Sequence, residues 1–140
     1  MPDSGTLANI AAIIAGFGVA MLFFRIQREL QMIDRNDRIW IPYADWLLIS
    51  ATLVSLTLVI LPLLALPSSS ALKLKIPTAA CAATSIMVTG YIVGILSHYR
   101  LILGKNRSGP RKNPEPAEKF IVWSAAALAI IVFIILLLFR

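Results

Sequence analysis

The segment from Phe120 to Phe139 reads FIVWSAAALAIIVFIILLLF and contains no charged residue. A helix rises about 1.5 Å per residue, so a segment of this length spans about 30 Å, the thickness of the hydrocarbon core of a bilayer. The segment therefore predicts a transmembrane helix, and its bulky apolar second half predicts a helix that faces lipid.

Three similar stretches lie earlier in the chain, over residues 7–24, 46–66 and 77–97. The four stretches hold 80 of the 140 residues and contain no Asp, Glu, Lys, Arg or His. Of the whole chain, 59% is hydrophobic and 14% charged, with a mean hydropathy of +0.82, whereas soluble proteins are about 45–50% apolar and about 25% charged. The sequence predicts an all-α protein, a four-helix transmembrane bundle with short loops that forms one membrane domain over residues 1–140.

The segments between these stretches are too short for a separate catalytic domain. Residues 25–45 and 98–119 are the longest, and each is well below the roughly 40 residues that a free-standing core needs. The chain has one Cys and one His, and no set of His, Cys and carboxylates has metal-ligand spacing. We expect no catalytic, cofactor or metal site, and the uncharged spans argue against ion-coupled transport.

Positive charge is concentrated in the two longer loops, which hold ten of the thirteen Lys and Arg residues. Basic loops stay in the cytoplasm, so both loops are predicted to be cytoplasmic and both termini extracytoplasmic, in a bacterial inner membrane or a plasma membrane. The basic flank of the first stretch follows the apolar run instead of preceding it. We therefore interpret that stretch as a retained helix, not as a cleaved signal peptide.

Several basic and aromatic side chains border the predicted cytoplasmic face. The loop between Arg100 and Lys112 has five positive and no negative residues, which either fixes the topology or also binds anionic lipid. Nucleic acid is not an expected partner, because no aromatic residue lies between Tyr99 and Phe120 for a base to stack on. The predicted interfacial or headgroup residues are Arg25, Arg28, Trp40, Trp46, His98, Arg100, Lys105, Arg107, Arg111 and Lys112.

The first predicted helix opens at Ser4 or Thr6, either of which can serve as its cap. Past Phe24 its apolar residues recur at Ile26, Leu30 and Ile33, a spacing that predicts an amphipathic extension into the cytoplasm as far as about residue 35. Within the span, small residues lie four apart. These residues are Ala12, Gly16 and Ala20. Either they form a face on which another helix packs closely, or they reflect the general abundance of Ala and Gly in membrane helices.

The third stretch is the least apolar, and we expect it to be the most buried helix. It is predicted to start at Pro77, after a ten-residue external turn over 67–76. One face carries small residues for helix packing, and another carries polar residues that line a pore or bond to their own helix. The packing residues are Ala83, Gly90 and Gly94, and the polar residues are Thr78, Cys81, Ser85 and Thr89.

Four further residues bear on chemistry. Asp45 and Glu118 lie in predicted first turns, where a carboxylate suits the helix dipole. His98 is expected to reach interfacial water, either as an ordinary interfacial residue or as a pH sensor. Cys81 is expected to be a packing residue, with an intermolecular disulfide as the alternative.

Two hypotheses for function follow. The first is a non-catalytic membrane protein that acts by helix association, as a homo-oligomer or as an accessory subunit of a membrane complex. The second is an oligomeric pore or passive permeation path lined by the polar face of the third span. The expected partners are the lipid bilayer, with anionic lipids at the cytoplasmic face, and membrane helices of the same or another protein.

Overall fold

The structure, a computed structural model, describes residues 3–34, 43–67, 70, 72–98 and 116–139, without the side chains of residues 29 and 32–34. These residues form four helices, each long and apolar enough to cross a membrane. We number them α1 (Ser4–Asp34), α2 (Ala44–Ala65), α3 (Leu72–His98) and α4 (Pro116–Phe139).

Helix α1 continues well past its apolar stretch, as its spacing predicted. Its cap differs from the expectation of Ser4 or Thr6. The Asp3 carboxylate accepts a hydrogen bond from the Thr6 backbone N–H at 2.6 Å, and the Asp3 carbonyl accepts one from Leu7. The hydrogen bond from the Thr6 backbone lowers the pKa of Asp3, because it favours the ionised carboxylate. Asp3 was missed because it lies four residues before Leu7, where the apolar stretch begins.

Helix α2 contains a π-helical segment over Ser55–Ile60, between α-helical portions Ala44–Val54 and Leu61–Ala65. The physical reason lies in Pro62, which has no N–H for the carbonyl of Leu58 and whose ring crowds that carbonyl. A wider turn before the proline relieves the crowding. The π segment places the Ser55 hydroxyl fully inside the protein, where it has no hydrogen-bond partner among the described residues.

Helix α3 begins five residues earlier than predicted, at Leu72, so Pro77 lies inside the helix and not at its start. The prediction placed the charged Lys73 and Lys75 in the external turn and therefore started the span after them, at Pro77. A proline at this position costs one hydrogen bond, to the carbonyl of Lys73, while the rest of the helix continues. The external turn is correspondingly shorter than the predicted 67–76.

Helix α3 is the centre of the bundle, and it contacts each of the other helices. It has the largest buried share of the four, as expected, whereas α4 has the smallest and is mostly exposed apolar surface. Helix α1 packs against α2 and α3, and α4 packs against α3 and α2. We call the end where α2 and α4 begin the lower end, and the other end the upper end.

Two apolar clusters fill the interior. The upper cluster brings Leu7 and Ala11 of α1 against Val59, Ala80 and Cys81. The lower cluster joins α2, α3 and α4 through residues directly beside the lower end: Ala44, Leu47, Leu48, Tyr91 and Val122.

Candidate functional site

The lower end collects one ionisable side chain from each helix. We call Arg25, Asp45, His98 and Glu118 the charged cluster; they come from α1, α2, α3 and α4 in that order. All four lie just outside the predicted spans, so the helices that the structure shows are longer than the apolar stretches and carry these four ionisable groups at the lower end. The group is the largest concentration of buried charge among the described residues.

The first pair joins α1 to α2. The Arg25 Nε–H donates to Asp45 Oδ2 at 2.9 Å, and the two side chains are 13% and 11% exposed. Arg25 follows the inner face of α1, on which Leu7, Ala11 and Gly18 also lie. Asp45 is the second residue of α2, where its carboxylate also suits the positive end of the helix dipole.

The second pair joins α3 to α4 and is more deeply buried. His98 Nδ1 lies 3.0 Å from Glu118 Oε2, with the side chains 4% and 0% exposed. The second carboxylate oxygen, Oε1, accepts the backbone N–H of Ala44 at 3.1 Å. Since Tyr43 supplies no side-chain cap for α2, Glu118 caps that helix from outside it and binds three helices together.

A weaker contact reinforces the same junction. The Lys119 Nζ atom lies 5.0 Å from the centroid of the Tyr43 ring, a distance suited to a cation–π interaction. Lys119 follows Glu118 directly, and Tyr43 precedes Ala44. The turn that begins α4 is therefore attached to the start of α2 at two adjacent points.

Chemically, this arrangement suits holding helices more than transforming a substrate. Each carboxylate is engaged by a donor from another helix, and a buried pair of this kind is strongly destabilised when one partner is removed. Among the described residues, no three His, Cys, Asp or Glu side chains come together in a way that could hold a metal ion. Cys81 lies at the upper end, where its thiol is 3.7 Å from the Leu7 carbonyl oxygen, far from His98.

The structure corrects the expectation for His98. We expected its imidazole to reach interfacial water, but it is buried against Glu118. The physical reason is the rotation of α3 and α4 about their axes, which turns Glu118, in the first turn of α4 as predicted, toward the end of α3. Arg25, expected among lipid headgroups, is likewise turned inward toward Asp45.

Of the other predicted interfacial residues, Arg28 and Trp46 are exposed. The remaining ones lie outside the described residues: Trp40, Arg100, Lys105, Arg107, Arg111 and Lys112. Binding of anionic lipid by the basic loop stays a prediction.

The predicted polar face of α3 divides between the inside and the outside of the bundle. Thr78 is half-buried and Cys81 is buried, whereas Ser85 and Thr89 are exposed. Ser85 Oγ donates to the Cys81 carbonyl at 2.8 Å, and Thr89 Oγ1 donates to the Ser85 carbonyl at 2.9 Å. Both hydroxyls therefore bond to their own helix. They border an open groove of about 340 Å³ between α3 and α4.

The small-residue faces of α3 and α1 have different surroundings. Gly90 and Gly94 lie where α2 and α4 approach α3: a Cβ on Gly90 would collide with Ala125, and one on Gly94 would be 3.1 Å from the Ala44 Cβ. Ala83 is also buried. In contrast, Ala12, Gly16 and Ala20 are exposed, and a Cβ on Gly16 would meet no atom within 4 Å in the part of the chain that the structure describes.

The glycine of α1 that lies at a contact with another helix of the same chain is Gly18, which was not among the predicted packing residues. A Cβ on Gly18 would collide with Thr52 Oγ1, so this glycine permits the close approach of α1 and α2. The available signal was its position on the same face as Ala11 and Ala15, both buried.

No family model matches the chain, and no curated protein or solved structure matches it.

Proposed function

We propose that this chain is a multi-pass membrane protein that works by associating with other membrane helices, as a homo-oligomer or as an accessory subunit. The observation that carries the proposal is the outer face of α1. Three small residues, Ala12, Gly16 and Ala20, are exposed there, and no other part of the described chain covers Gly16.

Small residues on another helix of this chain already allow close packing between helices. On α3, Gly90 and Gly94 let neighbouring helices approach to van der Waals distance. In hydrocarbon, close approach of this kind is a main source of packing energy, because no hydrophobic force drives helices together. The matching face of α1 is open, which supports its use for a helix from outside the chain.

The test compares Gly16→Leu with Ala127→Leu in the full chain after mild solubilisation. Ala127 is an exposed small residue on α4 and serves as the matched control. The mass of the purified complex and its chemically cross-linked neighbours are measured together. Gly16→Leu is expected to weaken association about tenfold, equivalent to about 1.4 kcal/mol, while Ala127→Leu leaves it unchanged.

Because a Cβ at Gly16 would meet nothing within 4 Å among the described residues, Gly16→Leu should unfold at no lower denaturant concentration than the wild type. Loss of association then reports a contact with another chain and not a folding defect. A wild-type chain that is monomeric, with no cross-linked neighbour in its native membrane, would contradict the proposal.

A pore built from several copies is the second candidate, and it draws on the exposed Ser85 and Thr89 beside the α3–α4 groove. It predicts solute flux through reconstituted vesicles that a bulky Ser85→Leu substitution reduces. The same flux from the wild type and from Ser85→Leu would argue against this groove as the path.

A further inference from the structure

The outer face of α1 has a regular spacing that extends beyond its small residues. Exposed residues lie along two neighbouring lines with alternating steps of three and four positions. The line through Ile13, Phe17, Ala20 and Phe24 becomes polar at Gln27 and Gln31, whereas the residues of the other line stay apolar from Ala12 to Leu30. We call these residues the α1 seam: Asn9, Ala12, Gly16, Val19, Phe23, Ile26 and Leu30. In the sequence, the same spacing reaches Ile33. A repeat of three and four is the heptad pattern of helices that pack along each other with a left-handed supercoil.

The opposite face of α1 already has its contacts. Leu7, Ala11, Ala15 and Gly18 are buried against the rest of the chain, and Arg25 on the same side is held by Asp45. This ion pair fixes the rotation of α1 about its axis. The seam therefore points away from the bundle at every position.

The lower part of the seam extends past the length of helix that a hydrocarbon core needs. Ser4 to Phe24 already measures about 30 Å along the helix, which fills the hydrocarbon core. Ile26 and Leu30 follow Arg25, which is level with the start of α2, and they are 54% and 58% exposed. A lipid-facing surface explains exposed apolar residues inside the core, but it does not explain their continuation past it in heptad spacing.

We infer that the seam packs against the same seam of a second copy, in parallel and in register. This inference rests on the proposed function and names its partner. Two copies inserted in the same direction present parallel α1 helices, and the seam carries no charged residue, so identical positions can face each other without repulsion. Asn9 would face its counterpart at a core position, where paired Asn side chains fix the register of parallel helices.

The test places single cysteines in the full chain on a Cys81→Ala background, which removes the only native cysteine. Phe23→Cys lies on the seam and Phe24→Cys beside it, and the two phenylalanines are equally exposed, at 65% and 66%. Leu30→Cys and Gln31→Cys form a second matched pair. After oxidation in native membranes, Phe23→Cys and Leu30→Cys are expected to give at least about fivefold more product at twice the 15.3 kDa chain mass than their neighbours.

The outcomes separate this inference from the proposed function. Equal cross-linking at Phe23→Cys and Phe24→Cys, or none at any position, would overturn the parallel seam. If a different protein is then captured in a Gly16-dependent way, association stands and only the identity of the partner is wrong. If the chain is monomeric without a neighbour, both fail. Unfolding of each cysteine variant at the denaturant concentration of its parent confirms that the fold is retained.

Discussion

Glu118 accepts hydrogen bonds from two other helices although no part of its side chain is exposed. Its carboxylate serves as the partner of the His98 imidazole and as the missing cap of α2. Removing this carboxylate should lower the free energy of unfolding, because His98 and the Ala44 N–H would both lose their buried hydrogen-bond partner.

Replacing Glu118 with Ala should lower the free energy of unfolding by about 3–5 kcal/mol, the usual cost of breaking a buried pair. The measurement is equilibrium unfolding in mixed micelles. Lys119→Ala is the control, since it removes the cation–π contact with Tyr43 and should cost no more than about 1 kcal/mol. Equal effects of the two substitutions would show that the Glu118 contacts contribute little.

Asp3 should make the first turn of α1 sensitive to acid. Its pKa is lowered in the folded chain, so the stabilisation is complete at pH values above the ordinary pKa of Asp and is lost as the pH falls through the lower folded value. Amide hydrogen exchange at Thr6, corrected for its intrinsic pH dependence, should lose protection below about pH 4. Asp3→Asn keeps a capping side chain without the charge, and its protection should not change with pH over that range.

The sequence contained part of the signal for the charged cluster. His98 directly follows one predicted span and Glu118 lies just before the next, so the sequence predicts both at the same end of the molecule. What the sequence lacked was the rotation of each helix about its axis, which decides whether two side chains at one level face each other or face lipid. That rotation follows from packing of all four helices together, for example through Gly90 against Ala125.

At the scale of the helices, Gly18 lies at an inner contact of α1 and Gly16 lies on its outer face. Gly18→Ala should destabilise the chain by about 1–3 kcal/mol, because the new methyl group collides with Thr52. Gly16→Ala should be neutral or stabilising by up to about 1 kcal/mol, because alanine favours the helix and the space is open. Unfolding in mixed micelles measures both.

The double variant Gly18→Ala/Thr52→Ala tests the cause. It removes the hydroxyl that the methyl group would strike, so it should recover stability relative to Gly18→Ala alone. No recovery would mean that Gly18 is required for a reason other than its contact with Thr52.

The end of a helix was predictable where its apolar stretch stops at a charged residue. It was less predictable where the helix continues past that residue. The extension of α1 was predicted because Ile26 and Leu30 keep the helical spacing after Arg25. The early start of α3 was missed because Lys73 and Lys75 interrupt the apolar stretch before Pro77. The π segment of α2 was not predicted, since Pro62 alone allows either a kink or a wider turn.

At the scale of the whole molecule, the distribution of Lys and Arg predicts that the loops at the lower end are cytoplasmic. A phosphatase that is active only outside the cytoplasm should therefore be active when fused after Arg140 and inactive when inserted after Lys105. Fluorescent fusions at the same positions, which mature only inside, should give the opposite pattern. Phosphatase activity of the Lys105 insertion, together with fluorescence of the Arg140 fusion, would indicate the opposite topology.

Four helices long enough to cross a membrane could be predicted from hydropathy alone, since each stretch is apolar over a full crossing. Their arrangement around α3 could not. Hydropathy reports how much a helix avoids water but not which neighbour it prefers, and the choice here depends on small residues at specific faces and on the buried charges.

The order of the buried pairs along the chain has a consequence for biogenesis. Arg25 meets Asp45 on the next helix to be synthesised, and His98 meets Glu118 on the helix that follows it. Each consecutive hairpin thus contains the partner of its own buried ionisable group, so a chain whose helices were inserted two at a time would leave neither Asp45 nor Glu118 without its side-chain partner.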